Sequence, residues 1–372
     1  MGKRELLLIA GFVLTGSLAY WFTAPPAVNQ DGQLSLRRIT RDVRAEVFGV
    51  RTKHPISARL LEESAGGIGM LELEGFRGKI VVVGHEGDQI GAELRGEALG
   101  LDQREAAAVA RDTRLRLERQ DEVARLELHT PTWRYARRLP ELALTVHLPT
   151  RIHLSLSDIE GSLDVRGVAS VTLDDVRAEI RIADVAGTVS GNIERNSADV
   201  SRVGVVDLET SQGEVIVSDV SGAVVLRPER GSVSVSRVHG PITVEGRDVN
   251  IDIDTNLDSL TVDARDGRLT LHDARAPVTI DAEALEVRLL MGRAVPVNVS
   301  TTDRRVDITL PSSEGVLVDA ATDGGELFVP DGLRVEISDD AQHAQGEISG
   351  GGVPLVLRNR NGGIIIREIP ET

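Results

Sequence analysis

The sequence predicts an all-β fold, a parallel β-solenoid of about 18 residues per coil, preceded by a small mixed β segment with one short helix and an N-terminal transmembrane helix. Three observations carry that prediction. Aromatic residues are scarce, with 5 Phe, 2 Trp and 2 Tyr in 372 residues, so Val, Ile, Leu and Ala must fill the core, and β-branched aliphatics suit a pleated surface. Apolar pairs at i, i+2 recur every nine residues: Val206/Leu208, Val215/Val217, Val224/Leu226, Val233/Val235 and Ile242/Val244, then Ile251/Ile253, Leu260/Val262, Leu269/Leu271, Val278/Ile280 and Val287/Leu289. Glycine corners recur every 18 residues, at Gln212-Gly213 and Arg230-Gly231, and Val217-Ser-Asp-Val-Ser-Gly222 returns as Val235-Ser-Arg-Val-His-Gly240.

Residues two apart on a strand share a face, so each nine-residue unit reads as a short strand plus a corner. Two units make one coil. A unit this small cannot bury its apolar face alone, but stacking on its neighbours can bury it. Upstream the pattern runs with small slips through Leu154/Leu156, Leu163/Val165, Val171/Leu173 and Ile180/Ile182. The corners carry Ile159, Val168, Val176, Val185, Val203, Val220 and Val238. Between Val185 and Val200 the period weakens, and an irregular coil is expected there. The calcium-binding nonapeptide roll shares the period, but its Gly-Gly-x-Gly-x-Asp signature does not occur in these corners. A hexapeptide helix needs a period of six, and an antiparallel sandwich would not hold a glycine corner at fixed intervals.

Four segments follow. Residues 1–24 read as a membrane anchor or signal segment, because Lys3 and Arg4 precede an uncharged run from Leu6 to Phe22. As a helix that run is roughly 26 Å long, the low end of a membrane span. Tyr20, Trp21 and Phe22 stand where an interfacial aromatic belt belongs. Ser17-Leu18-Ala19 has the form of a signal-peptidase site, so a cleaved, secreted product is the alternative. Arg37, Arg38, Arg41 and Arg44 oppose the orientation that Lys3 and Arg4 favour. Export is still expected, since a long following domain translocates largely regardless of charge.

Residues 25–74 read as a juxtamembrane segment, 75–150 as a β-rich cap with one helix, and 151–370 as the solenoid repeats. Within the cap, Lys79–Val83, Ala92–Leu94 and Leu142–Leu148 read as strands. Asp102, with Glu105 three residues on, forms a capping box for a helix through Ala106–Ala110. Leu115–Glu118 and Val123–Leu128 read as a hairpin around Gln120-Asp121.

Several of these features recur together elsewhere: the strand Gly78–Val83, the hairpin ending in Leu128-His-Thr-Pro131, the Leu148-Pro149-Thr-Arg-Ile152 lead-in, and the corners Asp158–Gly161, Asp184–Gly187 and Asp219–Gly222. Ile308-Thr-Leu-Pro311, Gly346–Gly352 and Leu355–Ile366 complete the set. With them the chain resembles the bacterial putative-adhesin family, membrane-anchored β-solenoid domains of unknown function. The resemblance spans residues 75–367. It implies the fold and, by the family's name, adhesion, and it brings no catalytic residues.

The formal net charge is −16, only Lys3, Lys53 and Lys79 are lysines, and cysteine is absent. These facts argue against nucleic-acid binding, lysine or thiol catalysis and cysteine-ligated metal. No catalytic, cofactor-binding or metal residue is expected. His147 and His153 are six apart across Pro149 and read as solvent-facing strand residues. Asp252, Asp254, Asn256, Asp258 and Asp263 fit EF-hand positions, but Leu257 stands where that loop needs Gly, and an acidic strand face is expected instead. Asp174-Asp175 and Asp339-Asp340 are neighbours that point to opposite faces, not local catalytic pairs. Asp184, Arg202, Asp219 and Arg237 hold equivalent corners with alternating sign, a solvated charge ladder. The function expected is non-catalytic: a membrane-tethered, extracytoplasmic, adhesin-like or scaffold protein that binds an envelope protein or polysaccharide, with self-association an option. The alternatives are a polysaccharide-active β-helix enzyme and a cytoplasmic-facing polymerising scaffold.

Overall fold

The fold is described from a computed structural model, over residues 52–100, 102–129, 142–311 and 314–368. These belong to one compact unit, Arg51–Thr372. The strands form one 24-stranded sheet.

Its longest part is parallel. His153–Arg166 pairs with Ser170–Ile193, and that strand with Ala198–Thr210. Ala198–Thr210 divides its pairing between Gly213–Val220 and Val224–Pro228. These pair onward with Gly231–Val238 and Ile242–Asn256, followed by Leu260–Ala274 and Val278–Met291. Val215, Val233, Ile251, Leu269 and Val287 therefore stand opposite one another, as do Val217, Val235, Ile253, Leu271 and Leu289. None is more than 2% exposed. Burial of each such side chain stabilises by about 1.5–3 kcal/mol, which is why the aliphatic rows set the register. The corner residues Ile159 through Val238 are buried as well, and Phe76 is the one buried aromatic among the described residues.

The row of corner residues continues through Asn256 and Ala274. Asn256 is fully buried, and its amide is satisfied. Nδ2 donates to the Asp258 and Ala276 carbonyls at 3.1 Å, and Oδ1 accepts from the Arg275 N–H at 3.0 Å. A polar side chain is tolerated there because every group it buries is bonded.

The expected fold class is corrected by the sheet topology. The sheet is mixed and is not a parallel β-solenoid. Thr52–Ser64 runs antiparallel to Gln89–Gly100, which runs antiparallel to Leu142–Pro149. Arg114–Gln120 and Val123–His129 form an antiparallel hairpin, as expected around Gln120-Asp121. Toward the C-terminus, Val316–Asp323 runs antiparallel to Ala341–Ile348, and that strand to Arg334–Ser338. The offset between partners also varies. His153 faces Ser170, Val278 faces Val297, and Val297 faces Leu355. At Asp121-Glu122 and Asp339-Asp340 the chain folds back and pairs with the strand it has just left, which makes those pairs antiparallel hairpins.

Among the described residues no helix is long and apolar enough to cross a membrane, and the expected membrane segment 1–24 lies outside them. The sheet already begins at Thr52, inside the stretch 25–74. The irregularity expected between Val185 and Val200 is a register shift within strand, since Val203 stands opposite Val185 but Val205 opposite Thr188. The period weakens there because Gly191 stands opposite Leu208 where an aliphatic residue is expected. A Cβ at Gly191 would lie 1.9 Å from the Leu173 carbonyl oxygen.

The helix is Gln103–Asp112. Asp102 caps it, its carboxylate accepting from the Glu105 N–H at 2.9 Å. Ala106 and Ala110 face the sheet and are buried. Thr113 ends the helix with extended backbone, and both its N–H and its hydroxyl donate to the Val109 carbonyl.

Candidate interaction face

The alternation that buries the aliphatic pairs turns the residues between them outward. Several corner residues adopt the left-handed backbone that Asp tolerates better than most, including Asp158, Asp175, Asp184, Asp219, Asp248 and Asp266. Arg202 and Arg237 adopt it too, at φ 54° and 51°. Each then reaches back one strand. Arg202 donates to both Asp184 oxygens, at 2.6 and 3.1 Å, and Arg237 to both Asp219 oxygens, at 2.6 and 2.8 Å. Only a planar guanidinium makes this two-pronged contact. These hydrogen bonds hold the Asp184 and Asp219 carboxyls below the usual range.

Other rows repeat the device. Glu160 lies between Arg77 at 3.2 Å and Arg177 at 3.4 Å, and Arg177 continues to Glu194 at 3.3 Å. Arg227 bridges Asp207 at 2.6 Å and Glu245 at 3.4 Å. Glu286 accepts from Arg268 at 3.0 Å and from Arg288 at 2.9 Å. Burial is the largest single influence on Glu286 and pushes its carboxyl up, but the two arginine hydrogen bonds together carry it below the usual range. Asp319 gathers Arg358 Nη2 at 2.6 Å, His343 Nε2 at 2.7 Å and Gln345 Nε2 at 3.5 Å. The Arg358 guanidinium is the main reason its pKa falls to about 2. Exposed pairs of this kind add little stability each, and their effect is to fix side-chain positions along the face.

One row is not neutralised in this way. Glu245, Asp263 and Asp281 stand opposite one another on three successive strands, all exposed. Glu245 has Arg227, while Asp263 and Asp281 form no ion pair with a described residue. Like charges directly opposite across strands are unfavourable.

The structure separates the other singled-out residues. His147 stands opposite Gly91, and His153 opposite Met70 with its ring against the Ser170 hydroxyl. In the calcium-like string, Asp252 meets His272 at 3.1 Å, Asp258 accepts from the Ser259 N–H at 2.6 Å, and Asn256 turns into the core. No group of three metal-ligating side chains occurs among the described residues. Asp175 is held by Arg177 at 2.7 Å, and Asp174 lies 3.4 Å from Asn192 Nδ2. Asp339 and Asp340 form the turn between the last two antiparallel strands. The Asp319 cluster was not foreseen, because its members follow no period.

No family model matches this chain, and no curated protein matches it. The family resemblance of the sequence is therefore without a matching model. Among solved structures, a putative cell adhesion protein from Clostridium sporogenes ATCC 15579 aligns with 85% of this chain and 100% of its own, at 13% identity and a TM-score of 0.22. A likeness of that size decides neither fold nor function.

Proposed function

We propose that this is a non-catalytic binding or scaffold protein of the cell envelope, which presents an arginine-braced acidic sheet face to a basic protein surface. The observation that carries the reading is the row Glu245, Asp263 and Asp281. A sheet holds these carboxylates one strand spacing apart, and a cationic partner would relieve their mutual repulsion. The net charge of −16 acts in the same sense over longer range. The export-type N-terminus, Lys3-Arg4 before the uncharged run 6–22, supports placing the sheet outside the cytoplasm. A polysaccharide partner is less favoured, because the sheet offers few aromatic platforms.

The test is retention of envelope proteins by the immobilised full chain. The expected result is a retained partner that is released between about 0.1 and 1 M salt and lost with the double variant Asp263→Lys, Asp281→Lys. Equal retention by that variant, or cleavage of envelope polysaccharide by the full chain, overturns the reading.

A further inference from the structure

The C-terminal region of the sheet carries an edge with no described neighbour. Strand Arg334–Ser338 pairs on one side only, with Ala341–Ile348. All five of its residues are exposed. Its apolar side chains nevertheless lie on the face that forms core elsewhere. Val335 stands opposite Ala344, which stands opposite Ala320, and both alanines are fully buried. Ile337 stands opposite Gln342, which stands opposite the buried Thr322. Val335 is 42% exposed and Ile337 71%. Leu333, the next residue on that face, lies over Gly346. The opposite face carries Arg334 and Glu336, paired to each other at 2.7 Å and largely in solvent.

This segment is complementary to itself. In an antiparallel pair about a two-fold axis at Val335, the two Val335 residues meet. Arg334 then faces the second copy's Glu336, and Leu333 faces its Ile337. The Arg334–Glu336 and Leu333–Ile337 contacts each occur twice and the Val335 pair lies on the axis, as an isologous interface requires. Apolar side chains meet apolar ones, and opposite charges meet across strands. An axis at Glu336 would instead oppose two carboxylates. We propose that the protein forms a symmetric dimer through this edge, antiparallel, in the register centred on Val335. An exposed apolar edge is a template for open-ended aggregation, and a closed two-fold pair removes it. The strand is short, so the association is concentration-dependent. This proposal does not rest on the acidic row, and the two fail separately.

The chain contains no cysteine, which makes the register directly readable. Val335→Cys in the full chain is expected to give a disulfide-linked dimer under mild oxidation, because residues directly opposite in an antiparallel pair lie within disulfide reach. Leu257→Cys, 49% exposed in the bend between strands Ile242–Asn256 and Leu260–Ala274, is the collision control and is expected to stay monomeric. Adding Ile337→Lys to Val335→Cys is expected to lower cross-linking about tenfold, a weakening of about 1.4 kcal/mol. Adding Arg334→Glu lowers it similarly, and Arg334→Glu with Glu336→Arg restores it. Cross-linking of Val335→Cys no greater than that of Leu257→Cys overturns the proposal. So does failure of the double charge exchange to restore what Arg334→Glu removes.

Discussion

Replacing Gly231 by Ala places a methyl group between two strands. Gly231 has φ +119° and stands opposite Gly213, whose carbonyl oxygen would lie 1.9 Å from the new Cβ. A close carbon–oxygen contact is about 3.3 Å, so the overlap is about 1.4 Å. The obstacle is backbone, which cannot rotate aside. Strands Gly213–Val220 and Gly231–Val238 must therefore part locally. Losing roughly two ladder hydrogen bonds costs about 2 kcal/mol. Holding Ala at positive φ adds roughly 1–2 kcal/mol, for a total of about 3–4 kcal/mol. Gly332 supplies the control. Its φ is +98°, and a Cβ there meets nothing within 4 Å, so Gly332→Ala carries only the backbone cost. Urea unfolding followed by circular dichroism should separate the two variants by about 2 kcal/mol. Equal destabilisation would refute the reasoning, because strand proximity would then contribute nothing.

Asn256→Ala removes three hydrogen bonds and strands the Arg275 N–H and two carbonyls, so a loss of about 2–4 kcal/mol is expected in the same unfolding experiment. Ala284 has φ 53° in a corner equivalent to Asp248 and Asp266, and Ala284→Asn is expected to raise the melting temperature, with a gain of about 0.5–1 kcal/mol. A lower melting temperature for that variant would contradict the strain. Asp319 has its folded pKa depressed from 3.8 to about 2, so its contribution is present above pH 3.8 and is lost as pH falls through about 2. Asp319→Asn should therefore flatten the stability–pH curve in that window, and an unchanged curve would count against the Arg358 contact.

The parallel ladders were legible because alternation is written at every residue. Val215/Val217 and Val233/Val235 show the inward face directly, and their spacing shows which strands meet. The helix was legible for a local reason, the Asp102 cap. Apart from the hairpin around Gln120-Asp121, the ends of the sheet were not legible as antiparallel. Thr52–Ser64 carries Pro55 and a register shift between Ile56 and Arg59, so its alternation breaks. Val335 and Ile337 alternate cleanly, yet nothing local to them states the direction of the neighbouring strand. That direction comes from the tight turn at Asp339-Asp340.

The face divides the same way. The ladder Asp184, Arg202, Asp219 and Arg237 follows the repeat spacing and is legible in the sequence. The Asp319 cluster joins His343 and Arg358 across unequal separations, which no period reveals. Asn256 looked outward by its spacing from Asp252 and Asp254, but the corner at Thr255 shifts the parity and turns it inward.

The face can act as a fixed surface only if its rows stay in register, and one distance measures that. Ile216, Ser234, Asp252, Thr270 and Arg288 stand opposite one another in turn. Ile216 and Arg288 are both exposed, and the chain has no cysteine of its own. Spin labels on Ile216→Cys and Arg288→Cys should lie four strand spacings apart, about 19 Å between backbones and roughly 20–25 Å between labels, with a narrow distribution. A broad distribution, or a separation beyond about 35 Å, would contradict the ladder on which the account stands.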